Sequence, residues 1–308
     1  MPDTALLALD WGTTSARAYR MNGHGEVVAI RESALGIQQV KDGAFASALL
    51  ALLGEWSELA APRIACGMIG SRQGWVEAPY VDCPAGFGRL AHTLTRTPDG
   101  GLAIVAGVRC RDAEGMPDVM RGEETQIAGA LAAEDGVTLA VLPGTHSKWA
   151  IVRARRIEQF ATFMTGEIYA VLKAHSILGR MMPAIPTASD DGAFMHGVKD
   201  GARADAGAGT LLHRLFGVRT LPLAGLLAPE SISDYLSGLL IGSEAAAGLA
   251  WARRHDVAAD RVTLIGADAL CRRYAVALSE TGIAVDAAAA DAAARGLWAI
   301  AQESGWMR

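Results

Sequence analysis

Two short turns carry the residues best suited to chemistry in this sequence. The first, Asp10-Trp11-Gly12-Thr13-Thr14-Ser15, follows the apolar run Ala5–Leu9; the second, Pro143-Gly144-Thr145-His146-Ser147-Lys148, follows Leu139–Leu142. Both contain the pattern Gly-Thr-x-Ser. A glycine lets the backbone approach an anion with no Cβ in the way. Successive N–H groups then form a concave donor site of the kind that holds phosphate oxygens, and Lys148 adds a point charge. The candidate phosphate ligands are therefore Gly12, Thr13, Thr14 and Ser15 on one turn, and Gly144, Thr145, His146, Ser147 and Lys148 on the other. Asp10, at the carboxyl end of a strand, suits Mg²⁺, which takes one or two carboxylates together with waters and phosphates. Either turn alone could be an ordinary hairpin with Asp10 capping local N–H groups, and only the pair argues for more. Neither G-x-x-x-x-G-K-[ST] nor a G-x-G-x-x-G after a strand occurs, so a nucleotide site here needs a different phosphate scheme.

The elements that must position these turns repeat. Ala5–Leu9, Ala16–Met21 and Glu26–Ile30 read as a meander of three strands joined by tight turns. A helix over 44–59 and strands at 63–66 and 102–105 follow. The middle of the chain returns to the theme with strands at 139–142, 148–152 and 157–163. Helices then prevail until a strand at 261–265, a helix over 267–280, a strand at 283–285 and an alanine-rich closing helix. A repeat on this scale decides the fold before any motif does. It predicts an α/β protein of two related lobes with a ligand cleft between them. The expected division is 1–120 and 121–286, with the final helix 287–306 packing back on the first lobe.

Composition narrows the partners. Of the 308 residues 51% are hydrophobic and 20% charged, a globular balance, and the net charge of −5 offers no basic footprint for nucleic acid or anionic lipid. Cys66, Cys83, Cys110 and Cys271 are scattered, without a C-x-x-C pair or metal-ligand spacing to histidine, which predicts a reduced, cytoplasmic protein with no structural zinc. The N-terminus shows no basic region or cleavage site. The most apolar stretch, Leu236–Trp251, contains Ser237, Ser243 and Glu244, and reads as a buried helix rather than a membrane span. A homodimer is compatible with the sequence, which does not specify the oligomeric state.

Asp10-Trp-Gly-Thr-Thr-Ser-Ala-Arg17 resembles the first phosphate motif of the actin and hexokinase superfamily. Within it the chain is most similar to the 2-dehydro-3-deoxygalactonokinases. The matching stretches are Gly67-Met-Ile-Gly-Ser71 with Gly74-Trp75, Met120-Arg-Gly-Glu-Glu-Thr-Gln126, Leu142-Pro-Gly-Thr-His-Ser-Lys-Trp149 and Leu236-Ser-Gly-Leu-Leu-Ile-Gly-Ser-Glu244. The resemblance implies two ribonuclease-H-like lobes, ATP and Mg²⁺ as cofactors, and transfer of a phosphoryl group to the 6-hydroxyl of 2-dehydro-3-deoxy-D-galactonate. It also implies a proton acceptor at the start of the helix preceding the second phosphate turn. Glu123 and Glu124 are the acids there, with a slight preference for Glu124, although acids in a first turn also suit the helix dipole.

The loop Gly70-Ser71-Arg72-Gln73-Gly74-Trp75 suits a sugar pocket, and a substrate carboxylate calls for an arginine fork, with Arg17, Arg72 and Arg121 as candidates. Trp75 could equally anchor its loop to the core. The second phosphate turn departs from the superfamily in carrying no acid. The usual glycine-rich adenosine motif is reduced to Ile265-Gly266-Ala267-Asp268, leaving Gly266 and Ala267 as the adenosine contacts. The rival readings are a kinase for another acidic sugar, such as 2-dehydro-3-deoxygluconate, and a non-catalytic sugar or ATP sensor. Against the sensor stand Asp10, both turns and the Glu123–Glu124 pair.

Overall fold

The computed structural model describes residues 4–131, 136–183, 185, 188–204, 210–288 and 291–307. Its strands and helices in the first part of the chain are β1 (Leu6–Trp11), β2 (Ala16–Met21), β3 (Val27–Ser33), α1 (Phe45–Leu53), β4 (Arg63–Cys66), β5 (Tyr80–Asp82), β6 (Ala85–Gly86), α2 (Phe87–Ala91), β7 (Thr95–Arg96), β8 (Ala103–Ile104), β9 (Gly107–Arg111), β10 (Pro117–Met120) and α3 (Glu123–Ala130). After them come β11 (Val137–Leu142), β12 (Ser147–Arg153), β13 (Arg156–Phe163), α4 (Thr165–His175), α5 (Asp191–Ala204), α6 (Leu211–Leu215), α7 (Gly217–Leu223), α8 (Ile232–Arg254), β14 (Arg261–Leu264), α9 (Asp268–Ser279), β15 (Ala284–Ala287) and α10 (Ala292–Glu303). The chain forms two compact units, Met1–Val137 with Val152–Phe160 and Ala288–Arg308, and Thr138–Ile151 with Ala161–Ala287.

The first unit is built on a sheet of order β3-β2-β1-β4-β8-β7. β1 is a near-continuous apolar run because it lies inside the sheet and is buried on both faces. β3, at the edge, alternates half-buried and exposed residues. β1 pairs antiparallel with β2 and parallel with β4, in a register that puts Asp10 opposite Cys66. α3 and α10 approach at backbone distance. A Cβ on Gly129 would lie 2.0 Å from the Ala292 carbonyl oxygen, and one on Gly296 would lie 1.9 Å from that of Thr125. Helix α3 is thereby held in this unit, and the expected boundary near residue 120 falls inside it.

Three expectations need correction. The helix anticipated over 44–59 ends at Leu53, where Gly54 takes φ +53° and a 3₁₀ turn follows. Arg31 Nη1 donates to the Leu53 carbonyl at 2.7 Å and so satisfies one of the orphan acceptors at that helix end. A three-stranded sheet, β10-β9-β5, was not foreseen. The closing helix begins at Ala292 rather than 287, because Ala284–Ala287 pair in parallel with β14 as β15; residues 289 and 290 of the expected helix lie outside the described residues.

In the second unit β15, β14, β11 and the first five residues of β12 lie side by side in that order. Its longest helix, α8, packs on α5 through facing glycines. A Cβ on Gly238 would meet the Phe194 carbonyl oxygen at 2.0 Å, and one on Gly197 would meet that of Tyr235 at 2.1 Å. This close approach explains why so apolar a helix carries so many small residues. Among the described residues no helix is long and apolar enough to cross a membrane.

Candidate active site

At the first turn β1 ends and the chain reverses. Gly12 N–H donates to the Ser15 carbonyl at 2.9 Å and closes the loop, leaving Thr14 and Ser15 exposed. The segment after β3 passes beneath: Ile37 N–H donates to the Gly12 carbonyl at 3.0 Å and Gln38 N–H to that of Thr13 at 3.2 Å. Only glycine fits at position 36, where a Cβ would sit 2.3 Å from the Thr14 carbonyl carbon. The turn is thus rigid from below and open above, onto a depression of about 500 Å³ lined by Asp10, Gly12, Thr14, Ser15, Arg17 and Glu32. Arg17 itself pairs with Glu32 at 2.7 Å.

Behind Asp10 three backbones touch. Gly67, just after β4, has φ +92°, and its missing Cβ would lie 2.8 Å from the Trp11 carbonyl oxygen. Gly122 has φ +105°, and its Cβ would lie 3.1 Å from Gly67 Cα. These two glycines bring the start of α3 against the end of β1, so Asp10, Cys66, Glu123 and Glu124 gather in one unit. The Cys66 thiol points at Asp10 Oδ1 at 3.9 Å. Burial pushes the Asp10 carboxyl up from its ordinary range, and the nearby Arg17 partly offsets this.

The two glutamates divide sharply. Glu124 is fully buried; its Oε2 accepts from Gly122 N–H at 2.7 Å and its Oε1 from the Thr125 hydroxyl at 3.0 Å. Burial, with Glu123 beside it, pushes its pKa up to about 8. Glu123 is half-buried, and its Oε2 accepts from Arg121 N–H at 3.0 Å.

Among the sugar-loop candidates, Ser71 and Arg121 are both buried and close together. A Cβ on Gly70 would meet Arg121 Nη1 at 2.9 Å. Arg121 Nη2 donates to the Ala78 carbonyl at 2.7 Å and its guanidinium lies over the Tyr80 ring at 4.4 Å. Ser71 Oγ and Arg121 Nε and Nη1 have no hydrogen-bond partner among the described residues. Arg72 is on the surface, its side chain 85% exposed and 3.8 Å from Glu77. Trp75 stacks on Phe45 at 6.3 Å, against the core cluster of the first unit. Gly74 is enclosed, since a Cβ there would lie 2.1 Å from the Ile69 carbonyl oxygen.

In the second unit the Gly144 turn rests on the start of α4. Glu167 N–H donates to the Thr145 carbonyl at 2.9 Å, His146 Nε2 meets the Glu167 carboxylate, and a Cβ on Gly166 would lie 2.4 Å from the Gly144 carbonyl oxygen. Thr145 and His146 are exposed. Ser147 and Lys148, also expected to bind phosphate, are buried. Ser147 is fully buried with its Oγ 2.8 Å from Tyr274 Oη, and Lys148 Nζ donates to Thr162 Oγ1 at 2.8 Å. The cause is their place at the inward start of β12.

A cavity of about 240 Å³ opens from Gly144 between α4, α8 and α9, lined by Thr165, Tyr169, Ser233, Leu240, Leu270 and Arg273 among others. Sequence reasoning missed these residues. Gly266 and Ala267 precede α9, with Gly266 near the Pro143 carbonyl. Among the described residues no group of three or more His, Cys, Asp or Glu could hold a metal ion.

The two units, each a sheet flanked by helices with a glycine turn at the end of a strand, define an actin- and hexokinase-like fold. Component A of the (R)-2-hydroxyglutaryl-CoA dehydratase of Acidaminococcus fermentans shares that fold at 14% identity, with a TM-score of 0.51 over 97% of this chain and 98% of that one. The family model described as 2-keto-3-deoxy-galactonokinase matches residues 10–300. The 2-dehydro-3-deoxygalactonokinase of Escherichia coli K12 is 36% identical over 287 residues, 93% of this chain and 94% of that protein. A crystal structure from Sinorhizobium meliloti, described as a protein of the same kind, is 38% identical with a TM-score of 0.88 and covers 96% of this chain and 98% of its own. The chain belongs to the 2-keto-3-deoxy-galactonokinase family and is a kinase with an alcohol group as acceptor.

Proposed function

We propose that this protein transfers the γ-phosphoryl group of ATP to the 6-hydroxyl of 2-dehydro-3-deoxy-D-galactonate. Membership of the family supports the substrate. The observation that carries the chemistry is the gathering of Asp10, Glu123 and the open Gly12–Ser15 turn at the end of β1. In this reading Glu123 accepts the proton of the sugar hydroxyl. Glu124 has the same position in sequence terms, but both of its oxygens are occupied and none of it is exposed. A base must come within hydrogen-bond reach of the proton it takes.

The second unit binds the nucleotide. The Gly144–His146 backbone and the Thr165 and Gly166 N–H groups that open α4 hold phosphate, as a helix N-terminus favours negative charge. The cavity between α4, α8 and α9 takes the nucleoside, with Tyr169 and Leu270 against the base, beyond the Gly266-Ala267 step. Asp10 suits Mg²⁺, since one carboxylate with waters and phosphates is a usual set for that ion, and no protein cage competes with it among the described residues. Bound there, the ion would neutralise phosphate charge. Ser71 Oγ and Arg121 Nε and Nη1, buried and without a hydrogen-bond partner among the described residues, are the groups offered to the sugar acid's polar atoms.

The test is ADP release with ATP, Mg²⁺ and a panel of acidic sugars that includes the C4 epimer. Turnover favouring the galacto acid is expected. Turnover on another sugar alone, or none on any, would refute the substrate assignment.

A further inference from the structure

The second unit contains a buried polar chain that the phosphate turn does not obviously need. Trp149 Nε1 donates to Glu244 Oε1 at 2.8 Å, Tyr274 Oη donates to Glu244 Oε2 at 2.6 Å, and Ser147 Oγ lies 2.8 Å from Tyr274 Oη. None of the four residues is more than 3% exposed. Ser147 thus shares a hydrogen bond with Tyr274 Oη, in which either oxygen can donate, and it also hydrogen-bonds to Glu244. Thr165, the first residue of α4, also hydrogen-bonds to both Glu244 and Tyr274. The chain therefore ties both sides of the turn, Ser147 after it and Thr165 at the helix it rests on, to one carboxylate.

Packing keeps the chain in register. Gly248 stands one helical turn beyond Glu244 on α8, and a Cβ there would lie 2.4 Å from the Trp149 ring. The indole can reach the carboxylate only because its ring lies flat on α8. Trp149 and Tyr274 both sit in the apolar cluster of this unit. A buried carboxylate in such a place is seldom the most stable solution, and hydrophobic residues of similar volume usually serve stability as well or better. Burial accordingly pushes the Glu244 carboxyl up from its ordinary range, against the hydrogen bonds it accepts.

We infer that Glu244 and Tyr274 are positioning residues for nucleotide phosphate: they fix the Gly144–Ser147 turn against the N-terminus of α4 through Ser147 and Thr165. The inference rests on the reading that this turn binds nucleotide, and goes beyond it in assigning the turn's geometry to the buried Glu244 carboxylate and to the Tyr274 hydroxyl, although the Tyr274 ring also lines the cavity between α4, α8 and α9.

The decisive variant is Tyr274→Phe, which removes one oxygen and leaves the Trp149–Glu244 bond. The KM for ATP is expected to rise about tenfold, the scale of one of the several buried hydrogen bonds that the Tyr274 hydroxyl makes, with kcat and the KM for the sugar acid within about twofold. A purely structural role would lower the melting temperature and the active fraction but leave the KM for ATP alone. Tyr274→Phe combined with Glu244→Gln should cost less than the product of the single effects, because both act through one chain. Calorimetric binding of a non-hydrolysable ATP analogue to wild type and Tyr274→Phe separates this inference from the substrate assignment. A tenfold loss of affinity in a protein inactive on every sugar would sustain the network and remove the sugar. An unchanged KM and affinity in an active enzyme would overturn the network alone.

Discussion

Replacing Glu124 by glutamine tests the division of labour between the two acids at the start of α3. In the folded protein burial holds the Glu124 carboxyl at about 8, against an ordinary 4.5. The folded form therefore resists an ionisation that the unfolded chain undergoes freely. For an acid with a raised pKa the sign is fixed: the unfolded state loses its proton first, and the fold loses stability as pH rises from about 4.5 to about 8. The slope is at most about 1.4 kcal/mol per pH unit, and it vanishes above 8, where both states are ionised. Over that window the loss is on the order of 4 kcal/mol. Glutamine cannot ionise, so the variant lacks this component. It does present an amide where a carboxylate oxygen accepts from Gly122 N–H or the Thr125 hydroxyl, a cost of about 1–3 kcal/mol that does not vary with pH. The expected result is a variant less stable than wild type at pH 5 and more stable at pH 8.5, measured by urea unfolding across that range. Taking the difference between the two curves cancels every titrating group that does not interact with Glu124. Parallel curves would show that Glu124 is not held neutral by burial. A kcat lowered a thousandfold with ATP and sugar KM intact would show that Glu124, not Glu123, takes the proton.

Glu123→Gln should lower kcat by about 10²–10⁴-fold, while its unfolding curves keep the loss of stability with rising pH over a narrower window, since the Glu123 charge helps to raise the Glu124 pKa; steady-state kinetics with the sugar acid varied reads the first. Asp10→Asn should cost about 100-fold or more in kcat, as loss of a charge-stabilising group does, and should shift the Mg²⁺ titration of activity to higher concentrations; an unshifted titration would place the ion elsewhere. Gly122→Ala forces a Cβ onto a residue at φ +105° that already lies against Gly67. It should cost about 1–3 kcal/mol of stability and displace Glu123, so that kcat falls further than the melting temperature accounts for.

The parts of this protein that were legible in the sequence are local. A glycine between an apolar run and a hydroxyl-rich stretch marks a strand-to-strand turn, and both turns stand where the Gly-Thr-x-Ser patterns are. Glu123 and Glu124 were visible as a pair of acids opening a helix, because helix starts have a chemistry of their own. What separates the two residues was not visible. Which of them is enclosed depends on the φ of Gly122 and on the seat of α3 against α10, and that contact is made by Ala292 and Gly296 far along the chain.

The same limit applies at the second turn. Ser147 and Lys148 follow Gly144 as Ser15 follows Gly12, and a reading by analogy sends their side chains to the ligand. In the fold the two turns differ in what lies beneath them. Under the first passes a backbone segment through Gly36, which leaves Thr14 and Ser15 facing out. Under the second lies Tyr274, supplied by α9 and held by Glu244 of α8, which draws Ser147 inward. A hydroxyl in a phosphate-type turn therefore reports where a turn is, while the residue underneath decides whether that hydroxyl meets the ligand or holds the loop. Glu244 closes the last of the matching stretches in the sequence, and its role follows only once the partner of Ser147 is known.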